Sequence, residues 1–320
     1  MSSLHTYLAG DIGGTKSWMA LVSVSPDGEW CIEYSHKYPN AEFQNVQQLI
    51  ETCLNDAGTD ASQIAGLSLA AAGPVTNGYC MMTNLDWEID TAQIKNHFDF
   101  CHVTLINDFH AVAQGVTLVE DEELLALNQV VPDSNGLKVV TGAGTGLGLA
   151  WLQQGNAHAT EGSHTGFAPA DEEQNRLLQQ LCSGKPSVSW EELLSGMGLQ
   201  RLYYFVSGGK RLPAAEITTA AEQGDESATA AVALFWRIFA NWAGNLALFY
   251  RPAGGIYLTG GVTNRLLPML DRDEFISAYC DKGGMRSLVE TTAVFVVTDE
   301  QIGLLGAIAQ IRDGIEGLEI

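Results

Sequence analysis

Twice in this chain an apolar run leads into a glycine-rich turn and a second apolar run leads out. The first instance reads Tyr7-Leu-Ala-Gly10-Asp11-Ile12-Gly13-Gly14-Thr15-Lys16-Ser17-Trp-Met-Ala20-Leu-Val. The second reads Leu137-Lys-Val-Val-Thr141-Gly142-Ala143-Gly144-Thr145-Gly146-Leu147-Gly148-Leu-Ala150-Trp151. Each pattern predicts a strand, a tight turn and a returning strand. Laying Thr15 on Thr145 also matches Gly14 with Gly144 and Ala20 with Ala150. So few identities are thin evidence of a repeat. The shared pattern is stronger, and it suggests two related lobes, each presenting a phosphate-binding hairpin to one cleft.

Glycines at such turns let backbone amides approach an anion, because no Cβ intervenes. Asp11 would repel a bare phosphate, so its carboxylate makes sense when a divalent cation lies between them. Taken alone, Asp11–Thr15 reads equally well as an ordinary hairpin turn. A third apolar strand, ending in Thr259-Gly260-Gly261, shifts the balance toward nucleotide phosphates. Other nucleotide and catalytic signatures are missing: no G-x-x-x-x-G-K-[ST], no G-x-G-x-x-G, no kinase H-R-D loop and no G-x-S-x-G elbow.

A length of 320 residues suits two domains, and 46% hydrophobic with 17% charged residues describes a folded chain. The net charge of −22 argues against nucleic acid and against anionic membrane surfaces. A nucleotide site here must therefore supply its own positive field. The six cysteines are scattered, without C-x-x-C pairs or zinc spacing, as in a reduced cytoplasmic protein. No signal peptide is apparent, and the most apolar helix candidate, 233–250, is interrupted by Arg237, Asn241 and Asn245.

Strands are predicted at 6–9, 17–24, 31–36, 64–72 and 103–106, with helices at 45–55, 91–98 and 109–118. This alternation argues for an α/β domain. An acidic, turn-rich stretch at 120–135 marks a boundary. The region 171–250 reads as mostly helical, and its aromatic positions recur at core spacing. A buried strand, a further strand at 293–297 and a helix at 302–312 complete the chain.

Three further polar elements carry chemistry. Asn107-Asp108 stands at a strand end before a helix. Either residue would serve as an N-cap, and an Asp there would also serve as base for an alcohol attacking a phosphoryl group. Glu161 and His164 share a glycine-flanked loop that reads as a polar surface loop or as a grip on sugar hydroxyls. Ser189 and Glu192 fit a capping box before an apolar pair, which leaves Glu191 as the freer carboxylate.

Together these residues resemble the bacterial glucokinase family, a branch of the hexokinase, actin and chaperone ATPase superfamily. The resemblance rests on Gly10–Thr15, Ala72-Gly-Pro-Val, Met82-Thr83-Asn84-Leu-Asp-Trp87 and Ile106–Phe109. It continues through Gly142–Gly148, Glu161-Gly-Ser-His164 with Phe167-Ala-Pro169, Leu194-Ser-Gly196, Arg211-Leu-Pro213, Gly244–Leu248 and Gly303–Gly306. It implies an α/β protein with the two-lobed, actin-like (ribonuclease-H-like) ATPase fold and an interlobe cleft. The implied division is a small α/β domain of residues 1–118 plus 300–320 and a larger α+β domain of 119–299. The implied reaction is ATP- and Mg2+-dependent phosphorylation of D-glucose at its 6-hydroxyl by a cytoplasmic homodimer. By the same resemblance Asp108 is the base, and Asn107, Glu161, His164 and Glu191 hold the other hydroxyls. Gly10, Asp11, Ile12, Gly13, Gly14 and Thr15 form the first phosphate loop, with Asp11 reaching magnesium through water. Gly142, Gly144, Thr145 and Gly146 form the second, and Gly260 and Gly261 lie near the adenosine. Ser163 and Lys16 depart from the family pattern, which usually has Gly and often Asn there. Alternatives are a kinase for another hexose and a sugar-sensing ATPase of the same fold.

Overall fold

A computed structural model describes residues 4–26, 28–82 and 85–316. The chain divides into two units, Met1–Val119 with Gln301–Ile320, and Glu120–Glu300.

In the first unit the elements are β1 (His5–Ile12), β2 (Lys16–Val24), β3 (Trp30–Pro39), α1 (Val46–Asp56), β4 (Gly66–Ala71), β5 (Tyr79–Met81), β6 (Glu88–Asp90), α2 (Thr91–Phe98), β7 (His102–Asn107) and α3 (Asp108–Gly115). A C-terminal helix, Ile302–Glu316, completes the unit. The main sheet runs β3-β2-β1-β4-β7. Its first three strands are an antiparallel meander, and β4 and β7 join in parallel. Strand periodicity places Leu8 and Ile12 on one face of β1 and Ala9 and Asp11 on the other. The first face packs on Leu49, Ile50, Ile94 and Phe98 of the helices. The second packs Ala9 and Ala20 against Leu304, Ile308 and Ile311 of the C-terminal helix. Each large side chain among these, such as Leu8, Ile12, Leu304 or Ile308, contributes about 1.5–3 kcal/mol by its burial. The C-terminal helix also crosses α3 very closely. A Cβ on Gly306 would lie 1.8 Å from the Ala111 carbonyl oxygen, so only glycine fits there.

The second unit holds β8 (Leu124–Ala126), β9 (Lys138–Ala143), β10 (Leu147–Gln153), β11 (Asn156–Thr160), α4 (Glu172–Leu181), α5 (Gly196–Val206), α6 (Ala214–Glu222), α7 (Glu226–Tyr250), β12 (Ile256–Thr259), α8 (Gly261–Leu266), α9 (Arg272–Cys280), α10 (Arg286–Val289) and β13 (Val294–Val297). Its sheet runs β11-β10-β9-β12-β13-β8. The meander β9-β10-β11 followed by parallel β12 and β13 repeats the order of the first unit. The repeat is architectural rather than residue for residue. β1–β2 pairs Ile12 with Ser17, whereas β9–β10 pairs Ala143 with Leu147, so the second turn is one residue shorter. The Thr15/Thr145 alignment therefore does not survive in the strand register.

The helix α7 is long and apolar enough to cross a bilayer by length and composition, yet 72% of that stretch is buried inside the protein. Phe235, Ile238, Phe239 and Trp242 form the core of the unit. Arg237, on the same helix, pairs with Asp171, Glu173 and Glu274.

Candidate active site

Asp11 ends a strand whose side chains alternate, so it faces the C-terminal helix. A Cβ on Gly303 of that helix would stand 2.4 Å from Asp11 Oδ2. Burial is the main cause that lifts the Asp11 carboxyl to about 7, and the negative charge of Asp108 adds to it. Lys37 opposes the shift. The sheet register explains how Lys37 acts: Asp11 pairs with Trp18 and Trp18 with Lys37, which puts the three in one cross-strand row. The Lys37 ammonium sits 4.5 Å over the Trp18 ring. Lys16, singled out in the sequence, is exposed at the start of β2.

The first turn begins after Ile12, the residue next to Asp11. Its Gly13 N–H donates to the Lys16 carbonyl at 3.1 Å, while Gly14 is half-buried and Thr15 exposed. Gly10 and Ile12 lie inside β1, and a Cβ on Gly10 would meet Met19 Sδ at 2.6 Å. The Ile12 side chain is fully buried in the core, so only its backbone faces the turn chemistry.

The two capping alternatives at Asn107-Asp108 resolve into a division of labour. Asn107 caps α3: its Oδ1 accepts from Phe109 N–H at 3.0 Å and from His110 N–H at 3.2 Å. Its Nδ2 donates to the Gly73 carbonyl at 3.1 Å. Asp108 is the first helical residue, and its Oδ1 accepts from Phe109 N–H at 2.9 Å, which orients the carboxylate. Thr83 and Asn84 of the Met82–Trp87 motif lie outside the described residues.

In the second unit Glu161, His164 and Glu191 converge. His164 Nε2 lies 3.5 Å from Glu161 Oε2, and its Nδ1 lies 3.8 Å from Glu191 Oε1. Glu161 and His164 are exposed and Glu191 is half-buried. Ser163 is buried in the short 3-10 turn between them, and its carbonyl accepts the Glu191 N–H at 3.1 Å. The Ser189/Glu192 capping box forms, with Ser189 N–H donating to Glu192 Oε1 at 3.1 Å and Glu192 N–H to Ser189 Oγ at 3.4 Å. It closes a turn rather than opening a helix, because α5 begins only at Gly196 with Ser195 as its cap. Glu191 therefore gains nothing from a helix dipole. Nor is it a free carboxylate: its Oε2 accepts the Leu147 N–H at 3.1 Å.

That bond ties Glu191 to the second glycine turn. Within the turn Gly144 N–H donates to Gly146 O at 2.8 Å, and Gly144 O accepts from Gly196 N–H at 2.9 Å. A Cβ on Gly146 would come within 2.5 Å of Glu191 Oε2. Gly142 pairs within β9–β10, and Thr145 is exposed at the tip. Gly260 caps α8 at φ 101°, and Gly261 begins that helix. Thr263, fully buried on α8, accepts the Ala143 N–H at 3.3 Å and fastens this turn to β9. The sequence reading missed Lys37, Gly303 as the neighbour of Asp11, and Asn40. Only Gly303 lay within a quoted motif, and no local signal marks the other two.

A model of the glucokinase family matches residues 8–313. The chain is 33% identical to the glucokinase of Nostoc punctiforme, over 94% of this chain and 97% of that one. It is similar to the crystal structure of a glucokinase from an Antarctic psychrotroph, with a TM-score of 0.86 and 30% identity over 97% and 100% of the two chains. The fold alone is shared with a ROK family glucokinase from Streptomyces griseus, solved with glucose and AMPPNP, at a TM-score of 0.67 and 21% identity over 97% and 100% of the chains.

Proposed function

This chain belongs to the glucokinase family of ATP-dependent hexose kinases, and we propose that it transfers the γ-phosphoryl group of ATP to the 6-hydroxyl of glucose with Asp108 as general base. The observation that carries this reading is the placement of Asp108. It follows the end of a parallel strand, at the first position of α3, within electrostatic reach of Asp11 beside the glycine turn. Ligands of α/β folds gather at such strand ends.

Phosphoryl transfer asks for positioning and charge neutralisation rather than covalent catalysis. The Phe109 N–H holds the Asp108 carboxylate in one orientation. Asp108 accepts the 6-hydroxyl proton as that oxygen attacks the γ-phosphorus and the bond to the bridging oxygen of ADP breaks. Glu161, His164 and Glu191 offer two acceptors and a ring that donates or accepts, a set that suits neighbouring hydroxyls. Asn107 spends its Oδ1 on the α3 cap and one N–H on the Gly73 carbonyl, so the second N–H of its amide is the donor that remains for a hydroxyl. The glycine turns 10–15 and 142–146 are read as the phosphate loops, and Gly260 and Gly261 as the adenosine side.

A divalent cation fits the donor set. Asp11 is a half-buried carboxylate, partly desolvated and beside a second acid, and a hard cation offsets both that desolvation and that repulsion. Among the described residues no group of three His, Cys, Asp or Glu side chains is placed to hold a metal ion, so magnesium would draw its other ligands from water and phosphate. When bound it supplies charge neutralisation to the phosphoryl oxygens. The same reading includes a cytoplasmic homodimer, which light scattering of the purified protein checks.

The test is Asp108→Ala. It is expected to fold and bind glucose while turnover falls by about 10³-fold or more, as removal of a general base predicts. Near-normal turnover would refute the assignment. A coupled ADP assay across a hexose panel checks the substrate, and a lack of preference for glucose would count against it.

A further inference from the structure

We propose that Asn40 is a positioning residue for nucleotide binding, which sets the backbone of the first glycine turn through three hydrogen bonds. Its Nδ2 donates to the Gly13 carbonyl at 2.8 Å, and its own N–H donates to the Thr15 carbonyl at 2.9 Å. Its Oδ1 accepts the Ser17 hydroxyl at 2.6 Å. Asn40 is 2% exposed and Ser17 is fully buried, so water does not substitute for these bonds.

The effect on the turn follows from peptide geometry. In a planar trans peptide the C=O and the following N–H point in opposite directions. Tying the Gly13 carbonyl to Asn40 therefore turns the Gly14 N–H away from Asn40. Tying the Thr15 carbonyl does the same for the Lys16 N–H. Two amides are thus set, and two carbonyl oxygens that would repel a phosphate are held back. The Gly13 carbonyl, which only accepts, fixes which end of the Asn40 amide faces the turn, and the Ser17 hydroxyl donates to the Oδ1 left on the other side and holds the side chain there. Asn40 is delivered by β3, whose last residue Pro39 pairs with Lys16. It is the first residue of a short 3-10 turn that follows Pro39, and its side-chain hydrogen bonds go to the first hairpin.

Aspartate has nearly the same shape but cannot donate to Gly13 O, and it places a charge beside the phosphate position. The inference rests on the reading of Gly10–Thr15 as a phosphate loop, and the experiment separates the two. Asn40→Asp, Ser17→Ala and Gly14→Val are compared for KM of MgATP, KM of glucose, kcat, AMPPNP affinity and melting temperature. Asn40→Asp is expected to raise KM for MgATP and weaken AMPPNP binding by about tenfold, with KM for glucose changed by less than about twofold. Ser17→Ala, which removes the bond holding Asn40 Oδ1 and so loosens the side chain, is expected to shift the same two quantities by about threefold. It carries the test if Asn40→Asp does not fold. A variant that lowers only the melting temperature or the active fraction, with both KM values unchanged, overturns the positioning role. If Gly14→Val also leaves nucleotide affinity unchanged, the phosphate-loop reading itself has failed. If Gly14→Val weakens nucleotide binding and neither Asn40→Asp nor Ser17→Ala does, only the inference about Asn40 has failed.

Discussion

Gly303, in the C-terminal helix, packs so tightly on Asp11, near the start of the chain, that a Cβ would stand 2.4 Å from the carboxylate oxygen Oδ2. The first strand and the last helix thus define one carboxylate together. Gly303→Ala should gain up to about 1 kcal/mol of helix propensity, yet it must displace Asp11. Activity and stability are therefore expected to move apart: kcat/KM for MgATP falls about tenfold or more while helical circular dichroism is kept. Unchanged MgATP kinetics would show that the Asp11 position is not critical.

Asp11 itself makes stability depend on pH. Its carboxyl is lifted to about 7 in the folded chain from its ordinary value of 3.8, so the folded state binds the proton more tightly than the unfolded state does. Its contribution is favourable below about 4 and is lost as pH rises through about 7. Without divalent cation, Asp11→Asn is expected to melt higher than the parent at pH 8 and to converge with it near pH 4. Each kcal/mol is worth on the order of 2 °C in a chain this long. Parallel melting curves for the two proteins across this range would contradict the burial argument.

Glu191 joins the Glu161–His164 loop to the second glycine turn, donating its N–H to Ser163 O and accepting the Leu147 N–H. Glu191→Ala leaves that N–H without its acceptor. It is expected to raise KM for both glucose and MgATP, each by about tenfold or more. Glu191→Gln keeps a side-chain oxygen for Leu147 and is expected to affect glucose far more than MgATP. Equal effects of the two variants on MgATP would remove the link between loop and turn.

Gly306 lets the C-terminal helix meet α3 with no side chain between them. Gly306→Val is expected to destabilise the protein by about 3 kcal/mol or more, since overpacking forces the backbones apart. Urea unfolding reads this directly, and a loss below about 0.5 kcal/mol would mean the helices separate at little cost.

Much of the fold was legible in local pattern. The strands at 17–24 and 31–36, and the helix at 91–98, coincide closely with observed elements, because period and capping residues are short-range properties. The hairpins at both glycine turns followed from the same logic. The helix expected to open after Ser189 did not, because the capping bonds there close a turn and the chain waits for Ser195 to begin α5. Asp108 was legible as a strand-end carboxylate, whereas the sharing of roles with Asn107 was not.

What the sequence determined by itself was the alternation of strands and helices, the two glycine turns and the short list of polar residues at strand ends and loops. Those depend on residues within a few positions of one another. Tertiary structure alone decided that Asp11 packs against Gly303, that Lys37 shares its cross-strand row, that Asn40 braces the first turn and that Glu191 holds Leu147. Each of these joins residues separated along the chain. Strand order and helix packing choose such partners, and burial then gives a hydrogen bond or a charge its strength.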